Sequence, residues 1–168
     1  RRRFSIRSRR IFRLRSCTST NSTKIAPSAI TINSTTHFHQ LRWIYAPVPA
    51  AAEEISDEEA ELLLNTNLRG SNAFLHATLP YLRRQRHGRI VQVASVAGQV
   101  GYPGNALYNA SKFGITGYCE ALALEMARFH VGVTIVEPGG ARTDFRYGGA
   151  KVARTLLPEY DHAHGFLD

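Results

Sequence analysis

The chain is poor in the residues and patterns that mark several large protein classes. It has two cysteines among 168 residues, Cys17 and Cys119, and neither belongs to a Cys-x-x-Cys pair, which argues against a disulfide framework and structural zinc. Its two His-x-His pairs have no nearby carboxylate at ligand spacing. No apolar run approaches the roughly 20 residues that a bilayer-crossing helix needs. We therefore predict reduced thiols, no metal site and no membrane partner.

Acidic residues are absent from the first 50 positions. That stretch contains nine arginines and one lysine and so carries +10, whereas residues 51–168 hold 11 basic and 13 acidic residues and carry −2. The formal charge of +8 therefore belongs to the leading segment and says little about the partner of a folded part. Aromatic residues hardly interleave with the arginines, so we expect no nucleic-acid partner.

Three regions of different composition divide the chain. Residues 1–47 are rich in Arg, Ser and Thr, which is typical of a disordered basic arm, an organelle transit peptide, or a translated wrong frame or intron. We expect this segment to be disordered or artefactual. Residues 48–150 carry regular apolar patterns, and residues 151–168 are loop-like. We predict a cytoplasmic protein, with an organelle as the alternative if the leading segment is a transit peptide.

Residues 48–150 alternate between helix and strand patterns. A capping box at residues 56–59 predicts the start of a helix. Leucines at helical spacing continue this helix, and Gly88 is predicted to end it. Residues 90–94 and 131–136 are apolar and β-branched, as in strands buried within a parallel sheet. Between them, a second helix is predicted over residues 107–129. Helix, strand, helix and strand with short connections predict an α/β fold with a parallel sheet.

Three polar side chains could perform chemistry at one edge of this sheet. Ser95 follows the first strand at its carboxyl end, where open α/β sheets place their sites. Tyr108 and Lys112 lie four residues apart and so share a helix face. A nearby ammonium favours phenolate, so we expect Lys112 to lower the pKa of Tyr108 from about 10 and to make it a general acid or base. Each of the three residues is also common at surfaces and caps.

Four motifs, in order, resemble those of the short-chain dehydrogenases/reductases and cover about 100 of the 168 residues. They are Asn67-Leu68-Arg69-Gly70, Ser95 after a strand, Tyr108-Asn109-Ala110-Ser111-Lys112, and Pro138-Gly139 followed by Thr143. The resemblance implies part of a doubly wound, Rossmann-like parallel sheet. It also implies an enzyme that transfers hydride between NAD or NADP and a small-molecule carbonyl or alcohol.

The resemblance implies two overlapping sets of functional residues. The catalytic set comprises Asn67, Ser95, Tyr108 and Lys112. The cofactor-binding set comprises Tyr108, Lys112, Pro138, Gly139 and Thr143. Tyr108 would be the general acid or base, and Lys112 would bind the nicotinamide ribose. Ser95 would orient the substrate oxygen, and Asn67 would anchor a water of the proton relay.

Part of the family pattern is missing. The motif Thr-Gly-x-x-x-Gly-x-Gly lets backbone amides approach a pyrophosphate, but every glycine of this chain lies at position 70 or later. We therefore expect a truncated, inactive form that is poorly soluble and binds no dinucleotide. The alternative is a non-catalytic interaction module built from the half-domain. Since the family often pairs subunits through its two long helices, residues 57–86 and 107–129 could form a homo-oligomer.

Overall fold

The structure is a computed structural model that describes residues 50–139 and 156–161 in full. It also describes the backbone of three two-residue strands: β1 (Arg13–Leu14), β2 (Ala46–Pro47) and β5 (Ala150–Lys151). The disorder expected of the remaining residues among 1–47 lies outside the described residues, as does the cofactor-binding role expected of Thr143.

Two consecutive helices open the fully described part. Helix α1 (Asp57–Leu64) begins at a capping box, as predicted: the Ser56 hydroxyl accepts from the Glu59 amide at 3.3 Å, and the Glu59 carboxylate accepts from the Ser56 amide at 3.1 Å. A π-helical turn, Asn65–Arg69, then leads into α2 (Gly70–Gln85). The predicted long helix is therefore continuous from Asp57 to Gln85, with one widened turn that apolar spacing does not register.

The end of α2 also differs from the prediction. The helix ends at Gln85, and Arg86 takes the left-handed conformation with φ of 58°. Gly88, predicted as the stop, instead opens strand β3 (Gly88–Val93) with φ of 153°. A Cβ added to Gly88 would lie 2.7 Å from a methyl of Leu82. Glycine is therefore needed where the chain enters β3 close against α2.

Strands β3 and β4 (Val131–Val136) form the centre of a parallel sheet. They pair from Gly88 opposite Val131 to Val93 opposite Val136. Helix α3 (Ala106–Met126) and a 3-10 turn connect them. Strand β1 lies on the other side of β4, which gives the order β1-β4-β3, and β2 pairs with β5 in parallel. The predicted α/β fold with a partial parallel sheet is confirmed.

The core is built from α2, α3 and the sheet. Its buried apolar residues are Leu75, Leu82, Ile90, Ala94, Ile115, Cys119, Leu122, Met126, Val131, Val133 and Ile135. Burying one large aliphatic side chain stabilises a fold by about 1.5–3 kcal/mol. This packing fixes α3 against the sheet, and so fixes the polar side chains that α3 carries.

Two absences apply to the described residues. None of the described helices is both long and apolar enough to span a membrane. Nowhere in the described ranges do three His, Cys, Asp or Glu side chains gather as metal ligands. Cys119 is a free thiol buried in the core, and Cys17 lies outside the described ranges.

Candidate active site

Ser95 lies at the carboxyl end of β3, as the sequence predicts. Its backbone is extended, and its hydroxyl oxygen accepts from the amide of Ala97 at 3.2 Å, which opens a 3-10 turn over Val96–Gly98. The Val96 amide donates to the carbonyl of Pro138 at 3.0 Å. The segments that follow β3 and β4 are therefore bonded to each other at one edge of the sheet.

Gly98 allows the turn after Ser95 to lie directly against α3. A Cβ added to Gly98 would lie 2.7 Å from Thr116 Oγ1 and 2.8 Å from the carbonyl oxygen of Lys112. Both distances are too short for a carbon atom, so only glycine permits this approach. The sequence pattern marks Gly98 merely as part of a loop, although this residue brings Ser95 to the helix that carries Tyr108.

Tyr108 and Lys112 project together from the start of α3. The Lys112 ammonium nitrogen lies 5.5 Å from the centroid of the Tyr108 ring, and the Tyr108 phenol is hydrogen-bonded to the side chain of Ser95. Lys112 is only 3% exposed. The structure thus brings together the three side chains that the sequence singled out.

Burial controls the protonation of this group. It raises the pKa of Tyr108 above its usual 10.0, and the hydrogen bond from Ser95 opposes that rise. It lowers the pKa of Lys112 from 10.5 to about 8. The predicted lowering of the Tyr108 pKa by Lys112 is therefore wrong, because desolvation of the phenolate dominates. Tyr108 is a neutral phenol at pH 7 and holds a proton that it can donate.

Asn67 reaches the site from the π-helical turn. It is 7% exposed, and its side-chain amide donates to Ser111 Oγ at 3.4 Å, while the Ser111 hydroxyl donates to the carbonyl of Tyr108 at 2.8 Å. Asn67 is thereby linked to the backbone of α3 at Tyr108. Widened π turns frequently occur at functional sites. The water that Asn67 would anchor stays a prediction.

The segment after β4 forms the third side of the site. Pro138 and Gly139 follow the strand beside the turn after Ser95. Glu137, which precedes them, is 4% exposed. Its carboxylate accepts from the side chain of Gln99 and from Thr116 Oγ1, the latter at 3.4 Å. Glu137 therefore joins the end of β4 to both the Ser95 segment and α3.

Asn109, a buried polar side chain with three hydrogen bonds beside Tyr108, has no role in the sequence prediction. Asn109 donates to the carbonyls of Ala97 at 2.8 Å and Val100 at 2.7 Å, and it accepts from the amide of Tyr102 at 3.2 Å. The sequence could have singled out Asn109, because asparagine is a poor helix former and this one stands inside a largely apolar helix.

The geometry combines a hydroxyl, a protonated phenol and a buried ammonium at the carboxyl edge of a parallel sheet. A sequence profile described as short chain dehydrogenase matches residues 44–151. The chain belongs to the short-chain dehydrogenase family. The matched range contains all the predicted site residues that the structure describes.

Individual relatives agree with this family membership. The chain is 38% identical over 120 residues to 3-ketodihydrosphingosine reductase of Bacteroides thetaiotaomicron, covering 71% of this chain and 44% of that protein. It is 34% identical over 108 residues to retinol dehydrogenase 8 of Homo sapiens, covering 64% of this chain and 34% of that protein.

A solved structure extends the agreement to the fold. The crystal structure of a short-chain dehydrogenase from Streptomyces avermitilis superposes with a TM-score of 0.66 at 32% identity, covering 72% of this chain and 44% of that chain. The predicted family and Rossmann-like fold class are confirmed. The chain spans less than half the length of each of these three relatives.

Proposed function

We propose that Ser95, Tyr108 and Lys112 form the proton-transfer half of an oxidoreductase site that interconverts a carbonyl and an alcohol. The observation that carries this proposal is the hydrogen bond between Ser95 and the Tyr108 phenol, with the Lys112 ammonium 5.5 Å from the phenol ring. A substrate carbonyl oxygen placed between the two hydroxyls would accept from both. Tyr108 would then transfer its proton to that oxygen as the carbonyl is reduced.

The raised pKa of Tyr108 suits reduction. A phenol that resists ionisation keeps its proton until a stronger base forms beside it, and a nascent alkoxide is such a base. The Lys112 ammonium would stabilise the phenolate left behind, because a positive charge nearby favours the ionised form. With its pKa lowered to about 8, Lys112 could also exchange protons readily near neutral pH.

The donors present fit the nicotinamide end of NAD or NADP. The Lys112 ammonium and the Tyr108 phenol are donors that match ribose hydroxyls, and Pro138 and Gly139 follow β4 at the same edge of the sheet. Bound there, the nicotinamide would supply or accept the hydride. Thr143, four positions after Gly139, completes the proposed cofactor-binding set.

The pyrophosphate end has no matching motif in these 168 residues, whose first glycine is Gly70. We therefore expect this chain alone to bind no dinucleotide and to be inactive. A non-catalytic interaction module is the second candidate. It is favoured by apolar side chains exposed on the helices, namely Leu62 on α1 and Phe113 and Leu124 on α3. These side chains could also serve self-association of the long helices.

The catalytic proposal is best tested where a complete cofactor site is available. Residues 50–139 would replace the matching segment of the Streptomyces avermitilis short-chain dehydrogenase, and oxidation of NADH or NADPH would be followed with a panel of carbonyl compounds. Tyr108→Phe in this chimera should reduce the rate by about 10²–10⁴-fold, the usual contribution of a general acid.

Two controls separate chemistry from folding in this test. Circular dichroism would establish that the chimera and its Tyr108→Phe variant are equally folded. Because Tyr108 also belongs to the proposed cofactor-binding set, cofactor fluorescence would set a saturating cofactor concentration for each protein. Equal rates for the two folded proteins would refute the role of Tyr108. Micromolar binding of NADPH to the 168-residue chain by calorimetry would contradict the proposal that the chain alone binds no dinucleotide.

A further inference from the structure

Asn109 connects the segment that follows Ser95 to the helix that carries Tyr108 through side-chain hydrogen bonds. The side chain is 6% exposed, and its three hydrogen bonds all go to backbone groups of residues 97–102. Two are donated and one is accepted, which matches the two-donor, one-acceptor pattern that a primary amide can offer. Aspartate and leucine have nearly the same shape as asparagine, but neither can donate two hydrogen bonds and accept one.

Ala97 links Asn109 to Ser95, one of the candidate catalytic residues. Asn109 donates to the carbonyl of Ala97 at 2.8 Å, and the amide of Ala97 donates to Ser95 Oγ at 3.2 Å. Occupying one lone pair of Ser95 Oγ in this way restricts where its proton and remaining lone pair can point. That direction decides how Ser95 meets the phenol of Tyr108, the residue directly before Asn109 in the chain.

We propose that Asn109 is a positioning residue that orients the Ser95 hydroxyl towards Tyr108 by fixing Ala97 and the 97–102 segment. The inference rests on the proposed function for its catalytic meaning, but the orientation itself can be measured without turnover. In this role Asn109 touches neither substrate nor cofactor. It acts through the Ala97 amide.

The test uses the full 168-residue chain labelled with ¹³Cζ-tyrosine, whose signal responds to hydrogen bonding at the phenol oxygen. Tyr108→Phe assigns the Tyr108 signal, and Ser95→Ala gives the shift that loss of the Ser95 contact produces. Asn109→Ala should move the signal in the same direction by most of that amount. In the Ser95→Ala background, Asn109→Ala should produce no further shift, because the contact it controls is already gone.

A matched control lies one helical turn earlier. The Asn105 side chain donates to the carbonyl of Pro103 at 3.3 Å on the exposed side of the same loop, and Asn105→Ala should leave the Tyr108 signal in place. Hydrogen exchange of residues 97–102 should be faster in Asn109→Ala than in Asn105→Ala. Asn109→Ser, a milder change that replaces the amide with a shorter polar side chain, should shift the Tyr108 signal in the same direction and decides the question if Asn109→Ala does not fold.

Two results would overturn the proposal. Faster exchange of residues 97–102 with an unmoved Tyr108 signal would mean that Asn109 holds the loop without orienting Ser95. Equal, additive shifts from Asn109→Ala in the presence and absence of Ser95 would mean that it acts on Tyr108 by another route. Neither readout requires catalysis, so an inactive chimera would refute the proposed function and leave this inference to be decided separately.

Discussion

Replacing Gly98 with alanine should pull the Ser95 segment away from α3. The added methyl group would lie 2.7 Å from Thr116 Oγ1 and 2.8 Å from the Lys112 carbonyl oxygen. The threonine side chain can rotate, but the helix backbone cannot give way without disturbing α3. The turn containing Gly98 must therefore move, and with it the hydrogen bond from its amide to the carbonyl of Ser95 at 2.9 Å.

The cost of this substitution follows from the contacts involved. Overpacking of a tight site typically destabilises by about 1–3 kcal/mol. Weakening the hydrogen bonds from Gly98 to Ser95 and from Asn109 to Ala97 adds about 1 kcal/mol for each bond lost. A loss of roughly 3 kcal/mol is a large share of the 5–15 kcal/mol that stabilises a typical domain.

Urea denaturation followed by circular dichroism measures this loss. With a slope of about 1–3 kcal/mol per molar urea, the midpoint for Gly98→Ala should fall by roughly 1–3 M. Gly101→Ala is the matched control, because a Cβ at Gly101 would have nothing within 4 Å. Equal midpoints for Gly98→Ala and Gly101→Ala would refute the close approach of the Ser95 turn to α3.

The other predictions concern Lys112 and Cys119, two titratable groups buried on α3. On folding, the pKa of Lys112 falls from 10.5 to about 8. At pH values between these two, the unfolded state binds a proton at Lys112 that the folded state does not bind. Lys112 should therefore make the free energy of unfolding rise with pH in that window. The stability of wild type minus that of Lys112→Met should thus increase between about pH 8 and pH 10.5. A difference that does not vary with pH would contradict the burial of Lys112. The Cys119 thiol is 0% exposed, and burial raises its pKa from 9.0 to about 12. In a Cys17→Ser background, an aromatic disulfide reagent should therefore label Cys119 only as the protein unfolds, and rapid stoichiometric labelling of the native protein would count against this core.

Much of the fold is predictable from local pattern. The run Val131–Val136 is a strand with alternate residues buried, because β-branched apolar residues favour a pleated, covered surface. The capping box at Ser56 and Glu59 marks the start of α1, since both hydrogen bonds are made within four residues. Features of this kind depend on neighbours in sequence, which the sequence displays directly.

The features that the sequence did not reveal depend on contacts between distant segments. The π-helical turn at Asn65–Arg69 changes the helix by one widened turn, and leucine spacing does not record it. The roles of Gly98 and Asn109 appear only when the turn after β3 is packed on α3. The direction of the Tyr108 pKa shift was mispredicted because the spacing to Lys112 indicates a nearby charge but says nothing about desolvation.

Rate measurements on the chimera decide whether Ser95, Tyr108 and Lys112 work as one unit. Side chains that cooperate in one chemical step show strongly non-additive losses. The chimera carrying Ser95→Ala, Tyr108→Phe and Lys112→Met together should then be about as slow as the one carrying Tyr108→Phe alone. Losses that multiply across the three substitutions would show independent contributions and contradict the claim.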